Sequence, residues 1–250
     1  MKTNLILPTL LALNCAFTVA GTAAIITVNA ADNIYGAGQA SAPGGGNVPG
    51  AIALTPVNTF VTFSSVTGST NCTSAAGCIT INGGTLNDPD GVGAATATSS
   101  NTGTGNISGI ASAPGAGYLL GVFVPAGGPS GPAPAALNFS TGSGTAFTSL
   151  SPLLDQTFFI GDGLTGDGSG TQQRFNIPTG AASLYLGISD ASGYNGSPGA
   201  YGDNFGSYTV NYNLTPSTAS STPEPGSFAL LGGALAGLST WAVRRRRSSR

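Results

Sequence analysis

Short alternations of apolar and polar residues, each closed off by glycine, proline or asparagine, restrict this chain's fold more than any other feature. Tyr208, Val210, Tyr212 and Leu214 fall on one face of a strand, with Thr209, Asn211 and Asn213 on the other. Leu184, Leu186 and Ile188 alternate in the same way. A period of two is the signature of a half-buried β-strand. Further strand-like runs are 25–29, 51–55, 59–66, 79–82, 118–124, 156–160 and 173–177. No helical period of useful length appears between them. The 40 glycines and 16 prolines of the 250 residues serve turns and loops, among them the Pro/Gly-rich segment 125–134. The expected fold is all-β, a β-sandwich over residues 25–214.

The two ends differ in character. Residues 1–24 have the parts of a secretory signal peptide: Lys2, an apolar stretch from Leu5 to Val19, then the small-residue cluster Ala20-Gly21-Thr22-Ala23-Ala24, any of which can flank the cut. A later site at Val28-Asn29-Ala30 is also formally possible. Cys15 follows Asn14 rather than a small residue, which argues against a lipid anchor. An uncleaved membrane helix is the alternative. At the other end, a Ser/Thr linker (215–222) leads to Pro223-Glu224-Pro225. Then come 18 residues without a charge, 226–243, and Arg244, Arg245, Arg246 and Arg247. Eighteen apolar residues just span a bilayer as a helix, and the arginines hold its far end in the cytoplasm. A plain tail anchor is one reading. The three parts in this order resemble the PEP-CTERM sorting tail (223–250, basic part 244–250). The resemblance implies cleavage by an exosortase-type membrane protease. It also implies a transient stay in the inner membrane of a Gram-negative bacterium, followed by release to the cell surface or an exopolysaccharide-rich biofilm matrix.

Charge excludes several function classes. Between residues 25 and 214 there are eight aspartates and one base, Arg174, a net charge of −7. Such a surface repels nucleic acid. The chain has no histidine, which removes Ser-His-Asp and Cys-His catalysis and His-based zinc sites. Cys72 and Cys78 are the cysteines left after signal removal and are expected to form a small-loop disulfide in an oxidising compartment. No pair of aspartates stands out as a glycosidase acid and nucleophile, and the single tryptophan, Trp241, lies in the tail. Ice binding would need repeated Thr-x-Thr rows, and only Thr96-Ala97-Thr98 has that form. No catalytic residue is expected.

Two loops concentrate oxygen ligands: Asn87-Asp88-Pro89-Asp90-Gly91, and the stretch from Asp190 to Pro198-Gly199-Ala200-Tyr201-Gly202-Asp203-Asn204. A hard cation such as Ca²⁺ takes six to eight oxygens, carboxylate and carbonyl alike. Aspartate and asparagine also simply shape turns. The segment 183–214, with a strand ending in Asp190, the Pro-Gly-Ala-Tyr-Gly-Asp-Asn loop and a final alternating strand, resembles the C-terminal part of the bacterial galactophilic (PA-I type) lectins. The resemblance implies a galactose-binding-like jelly-roll sandwich between a signal helix and a transmembrane helix. It makes Asp190, Asp203 and Asn204 side-chain Ca²⁺ ligands, with backbone carbonyls from Ala200 and from near Cys72. Asp88-Pro89-Asp90-Gly91 matches the family's sugar-contact segment in its Pro-Asp, without the family's His and Gln. The sugar-binding residues so implied are Asp88, Asp90, Tyr201, Asp203 and Asn204, and Tyr194 and Tyr201 are rings that can stack on a sugar or pack the loop. Ca²⁺-dependent binding of carbohydrate or exopolysaccharide is the leading expectation, and a structural surface protein without sugar binding is the other.

Overall fold

The structure is a computed structural model that describes residues 21–72, 86–91 and 98–217. The strands are β1 (Thr22–Asn29), β2 (Ala51–Ala53), β3 (Asn58–Cys72), β4 (Ser99–Thr104), β5 (Ile107–Ala113), β6 (Leu119–Pro125), β7 (Leu137–Asn138), β8 (Ser149–Leu150), β9 (Thr157–Phe159), β10 (Leu164–Gly166), β11 (Ser169–Gln172), β12 (Arg174–Asn176), β13 (Ala181–Ile188), β14 (Asn195–Gly196) and β15 (Asn204–Pro216). The described helices are single 3₁₀ turns, at Ile34–Gly36, Ser192–Tyr194 and Tyr201–Asp203. None of the described helices is long and apolar enough to cross a membrane. The expected signal helix, transmembrane helix, sorting tail and strand at 79–82 lie outside the described residues.

The described residues are all-β as expected, but built in three layers. The strand orders are β1-β15-β3-β12-β8, β2-β13-β6-β9 and β14-β4-β5-β7, with β10-β11 as a separate hairpin. β6 explains the layering. Its sequence, LLGVFVP, is buried along nearly its whole length, so both faces need a partner. Leu119 and Phe123 join Val61, Phe63, Tyr208 and Val210 of the first sheet in one core. Leu120, Val122 and Val124 join Ile107, Ile110 and Phe139 in a second core beneath the third sheet. Rings run through the first core: Phe123 stacks on Phe158 at 5.1 Å, Phe158 meets Phe175 at 5.3 Å, and Phe175 meets Phe63 edge-on at 5.4 Å. Each such buried phenylalanine stabilises the fold by roughly 1.5–3 kcal/mol. Gly121 makes room for them, because a Cβ there would lie 2.6 Å from the Phe158 ring.

Boundaries move outward from the sequence expectation. β1 starts at Thr22, three residues before Ile25, and pairs Thr22 with Leu214 and Ala24 with Tyr212. β3 runs on to Cys72, and β15 runs through Pro216 into the expected linker. β3 and β15 form the longest ladder, from Pro216↔Asn58 to Asn204↔Cys72. The last of those pairings puts the start of β15, the end of β3 and the residues after β13 at one edge of the sandwich.

Candidate functional site

Asp190 stands two residues beyond β13 and is buried. Its backbone is held by Tyr201: the Asp190 N–H donates to the Tyr201 hydroxyl at 2.9 Å, and that hydroxyl donates to the Ile188 carbonyl at 2.8 Å. Its carboxylate accepts the Ala191 N–H at 2.7 Å on Oδ1 and the Asn204 Nδ2 at 2.8 Å on Oδ2. Asn204 Nδ2 also donates to the Ala30 carbonyl at 3.0 Å. Burial, reinforced by the negative charge of Asp203, pushes Asp190 up to about 7, against the opposing hydrogen bonds from Asn204 and Ala191. A carboxylate taken out of water with no base beside it favours either a proton or a cation.

A cavity of about 10 Å³ opens beside this carboxylate, lined among others by Thr70, Asn87, Gly117, Asp190, Tyr194 and Asn204. That is the room of one water or one ion. Asn87 reaches it from the first oxygen-rich loop, which is tied to β3 by paired backbone hydrogen bonds between Thr70 and Asn87 at 3.0 and 2.8 Å. Asn87 is 2% exposed, and its Oδ1 accepts no hydrogen bond. A buried acceptor without a donor is costly and marks a place where something else supplies the partner. Gly117 keeps the space open: its φ is +66°, and a Cβ would come within 2.8 Å of Thr70 Oγ1 and 2.9 Å of Asn87 Nδ2.

The structure distributes the remaining sequence-predicted residues unevenly. Asp203 lies close enough to raise Asp190 electrostatically. Ala200 is exposed in the left-handed region at φ +67°, and its carbonyl accepts the Asp203 N–H at 3.4 Å. The Cys72 backbone lies opposite Asn204 in the ladder, while the Cys72 side chain and all of Cys78 lie outside the described residues. Tyr201, expected to face a sugar, is 1% exposed. The left-handed turn at Ala200 sends its ring inward, where its hydroxyl braces Asp190. Tyr194 remains half-exposed at the cavity. Asp88 and Asp90 group instead with Asp167, their oxygens within 4.8 Å of one another, and Asp162, Asp88 and Asp167 raise Asp90 electrostatically. Sequence reasoning named Asn87 only as part of a loop and gave Thr70 no role. Neither belongs to a local motif, and only strand pairing brings them to Asp190.

Comparison with known proteins bears on the tail. Residues 221–247 match the PEP-CTERM protein-sorting motif. No curated protein and no solved structure matches the chain, so no match supports the lectin resemblance of the central domain. The motif marks the chain as an exported protein that is sorted to the cell surface and processed by exosortase, a membrane protein.

Proposed function

We propose that the exported domain is a non-enzymatic, Ca²⁺-dependent carbohydrate-binding module of the cell surface, with the cation in the cavity between Asp190, Asn204 and Asn87. The observation that carries this reading is that Asn87, whose Oδ1 is buried and donor-free, lines the same small cavity as Asp190. Both are hard oxygen ligands, and Ca²⁺ prefers such ligands. Asn204 presents its Nδ2 to Asp190. To act as a ligand it turns its amide over and offers Oδ1 to the cation. Carbonyls of Ala200 and Cys72 and the carboxylate of Asp203 are the further oxygens at this edge. Vicinal hydroxyls of a surface polysaccharide then complete the coordination shell in place of water, with Tyr194 as the ring nearest the site.

The test is a glycan array probed with the full chain in detergent, with Ca²⁺ and with chelator. Binding that depends on Ca²⁺ and is lost in Asp190→Asn supports the reading. Ca²⁺-independent binding, or none, contradicts the sugar half. The burial of Tyr201 and the separation of Asp88 and Asp90 from Asp190 favour a second reading, in which the cation merely fixes the loops of a structural surface protein.

A further inference from the structure

The first oxygen-rich loop has a second set of carboxylate neighbours, distant in sequence. Oxygens of Asp88, Asp90 and Asp167 all lie within 4.8 Å of one another. Asp162 holds the arrangement. Its Oδ1 accepts the Leu164 N–H and its Oδ2 the Gly168 N–H, both at 2.8 Å, which shapes the β10–β11 hairpin and presents Asp167. The Asp162 N–H donates to Asp90 Oδ1 at 3.3 Å and joins the two loops. Gly161 permits this approach, since at φ +61° a Cβ would sit 2.0 Å from Asp90 Oδ1.

A further observation points to a ligand. Asp90 is 8% exposed, and its Oδ2 is buried without a hydrogen-bond partner. The one base among the described residues is engaged elsewhere. Arg174, the only basic residue between 25 and 214, lies over the Phe60 ring at 4.0 Å and donates from Nε to Asn176. Like charges gathered at a partly buried point, with a lone pair unclaimed by any donor, match the chemistry of a hard divalent cation.

We propose that Asp88, Asp90 and Asp167 bind a second divalent cation, separate from the Asp190 cavity, which clasps the 87–91 loop to the β10–β11 hairpin. The ion takes one carboxylate oxygen from each aspartate and fills the rest of its shell with water on the exposed Asp167 side. Asp162 is a positioning residue. The clasp also steadies the loop that delivers Asn87 to the other cavity.

Isothermal titration of the full chain in detergent with Ca²⁺ alone distinguishes the two sites. Two ions are expected to bind the wild type. Asp167→Ala, at an exposed position, is expected to lose one ion, and the near-isosteric Asp90→Asn the same one. Asp190→Asn is expected to lose the other. A wild type that binds one ion, lost in Asp167→Ala but kept in Asp190→Asn, supports this site and contradicts the Asp190 reading. A stoichiometry that neither Asp167→Ala nor Asp90→Asn lowers, with β-sheet circular dichroism intact, overturns the proposal.

Discussion

Asn204 Nδ2 donates to Asp190 Oδ2 at 2.8 Å, and this bond ties the first residue of β15 to the residue two past the end of β13. The same amide reaches the carbonyl of Ala30, the residue after β1. One side chain therefore links three segments of the sandwich edge. Asn204→Ala leaves Oδ2 of the buried Asp190 carboxylate and the Ala30 carbonyl without this donor. Its cost is expected to be about 2 kcal/mol, read from urea unfolding in Ca²⁺-free buffer. Asn204→Asp, which sets a second carboxylate against Asp190, is expected to cost more without Ca²⁺ and to recover when Ca²⁺ is added.

The middle sheet makes a packing prediction. Gly121 sits under the Phe158 ring with no room for a Cβ. Gly121→Ala is expected to destabilise the domain by about 1–3 kcal/mol through overpacking. Phe123→Ala, which removes the partner stacked on Phe158, is expected to cost about 3–5 kcal/mol. Chemical unfolding of both variants checks the two values.

What the sequence disclosed and what it hid divide along physical lines. β15 is legible because one face meets a core, so Tyr208 and Val210 alternate with more exposed neighbours, and β13 is legible because Leu184 and Leu186 are fully buried in the first core while Tyr185 on its other face is only partly buried against the second. β4 is illegible. Its sequence SSNTGT contains no large apolar residue, and its two buried residues are polar and held by hydrogen bonds, Ser99 Oγ to the Gly115 carbonyl and Ser189 Oγ to Asn101 Oδ1. β6 is legible as a strand, but the meaning of its unbroken apolar run, a third layer, needs the knowledge that both faces are covered. In the site, Asp190 and Asn204 belong to one loop and are visible together. Asn87 and Asp167 join their clusters only through long-range pairing, which no local spacing records. Tyr201 misleads because a tyrosine in a Gly-rich loop reads as exposed until the turn at Ala200 is known.

Asp155 supplies the pH prediction. It is buried, with φ +60°, and its Oδ2 accepts the Ser130 N–H at 3.4 Å while its Oδ1 accepts none. Burial raises its pKa above the ordinary aspartate value, with Ser130 opposing. The folded state thus binds the proton more tightly than the unfolded chain. This contribution to stability is complete below the unfolded pKa of about 4 and is lost as pH rises through the folded value. Asp155→Asn tolerates the same backbone conformation. It is expected to leave stability near pH 3 unchanged, to raise it at pH 7–8, and to flatten the pH profile between. Unfolding midpoints across that range provide the check.

Processing leaves a signature in mass. β1 begins at Thr22, so a cut after Ala20 or Gly21 keeps every rung from Thr22↔Leu214 to Asn29↔Ser207, whereas a cut after Ala24 removes three of them. The PEP-CTERM motif at 221–247 implies processing by exosortase, and the second cut is expected in the tail. Protein recovered from the cell surface is expected to begin at Gly21 or Thr22 and to lack Arg244–Arg247. Intact mass measurement contradicts this account if the surface form begins at Ile25 or retains the arginines.

The central claim, a cation at the Asp190 cavity, is tested most directly by thermal unfolding of the Asp167→Ala variant, which isolates that cavity from the second cluster. Ca²⁺ at one hundred times its dissociation constant stabilises a single-site protein by about 2.7 kcal/mol. For a domain of this size that is a rise of roughly 5–10 °C in melting temperature. The account predicts such a rise, reversed by chelator and absent when Asp190→Asn is added. No rise, or an equal rise with Asp190→Asn in place, contradicts it.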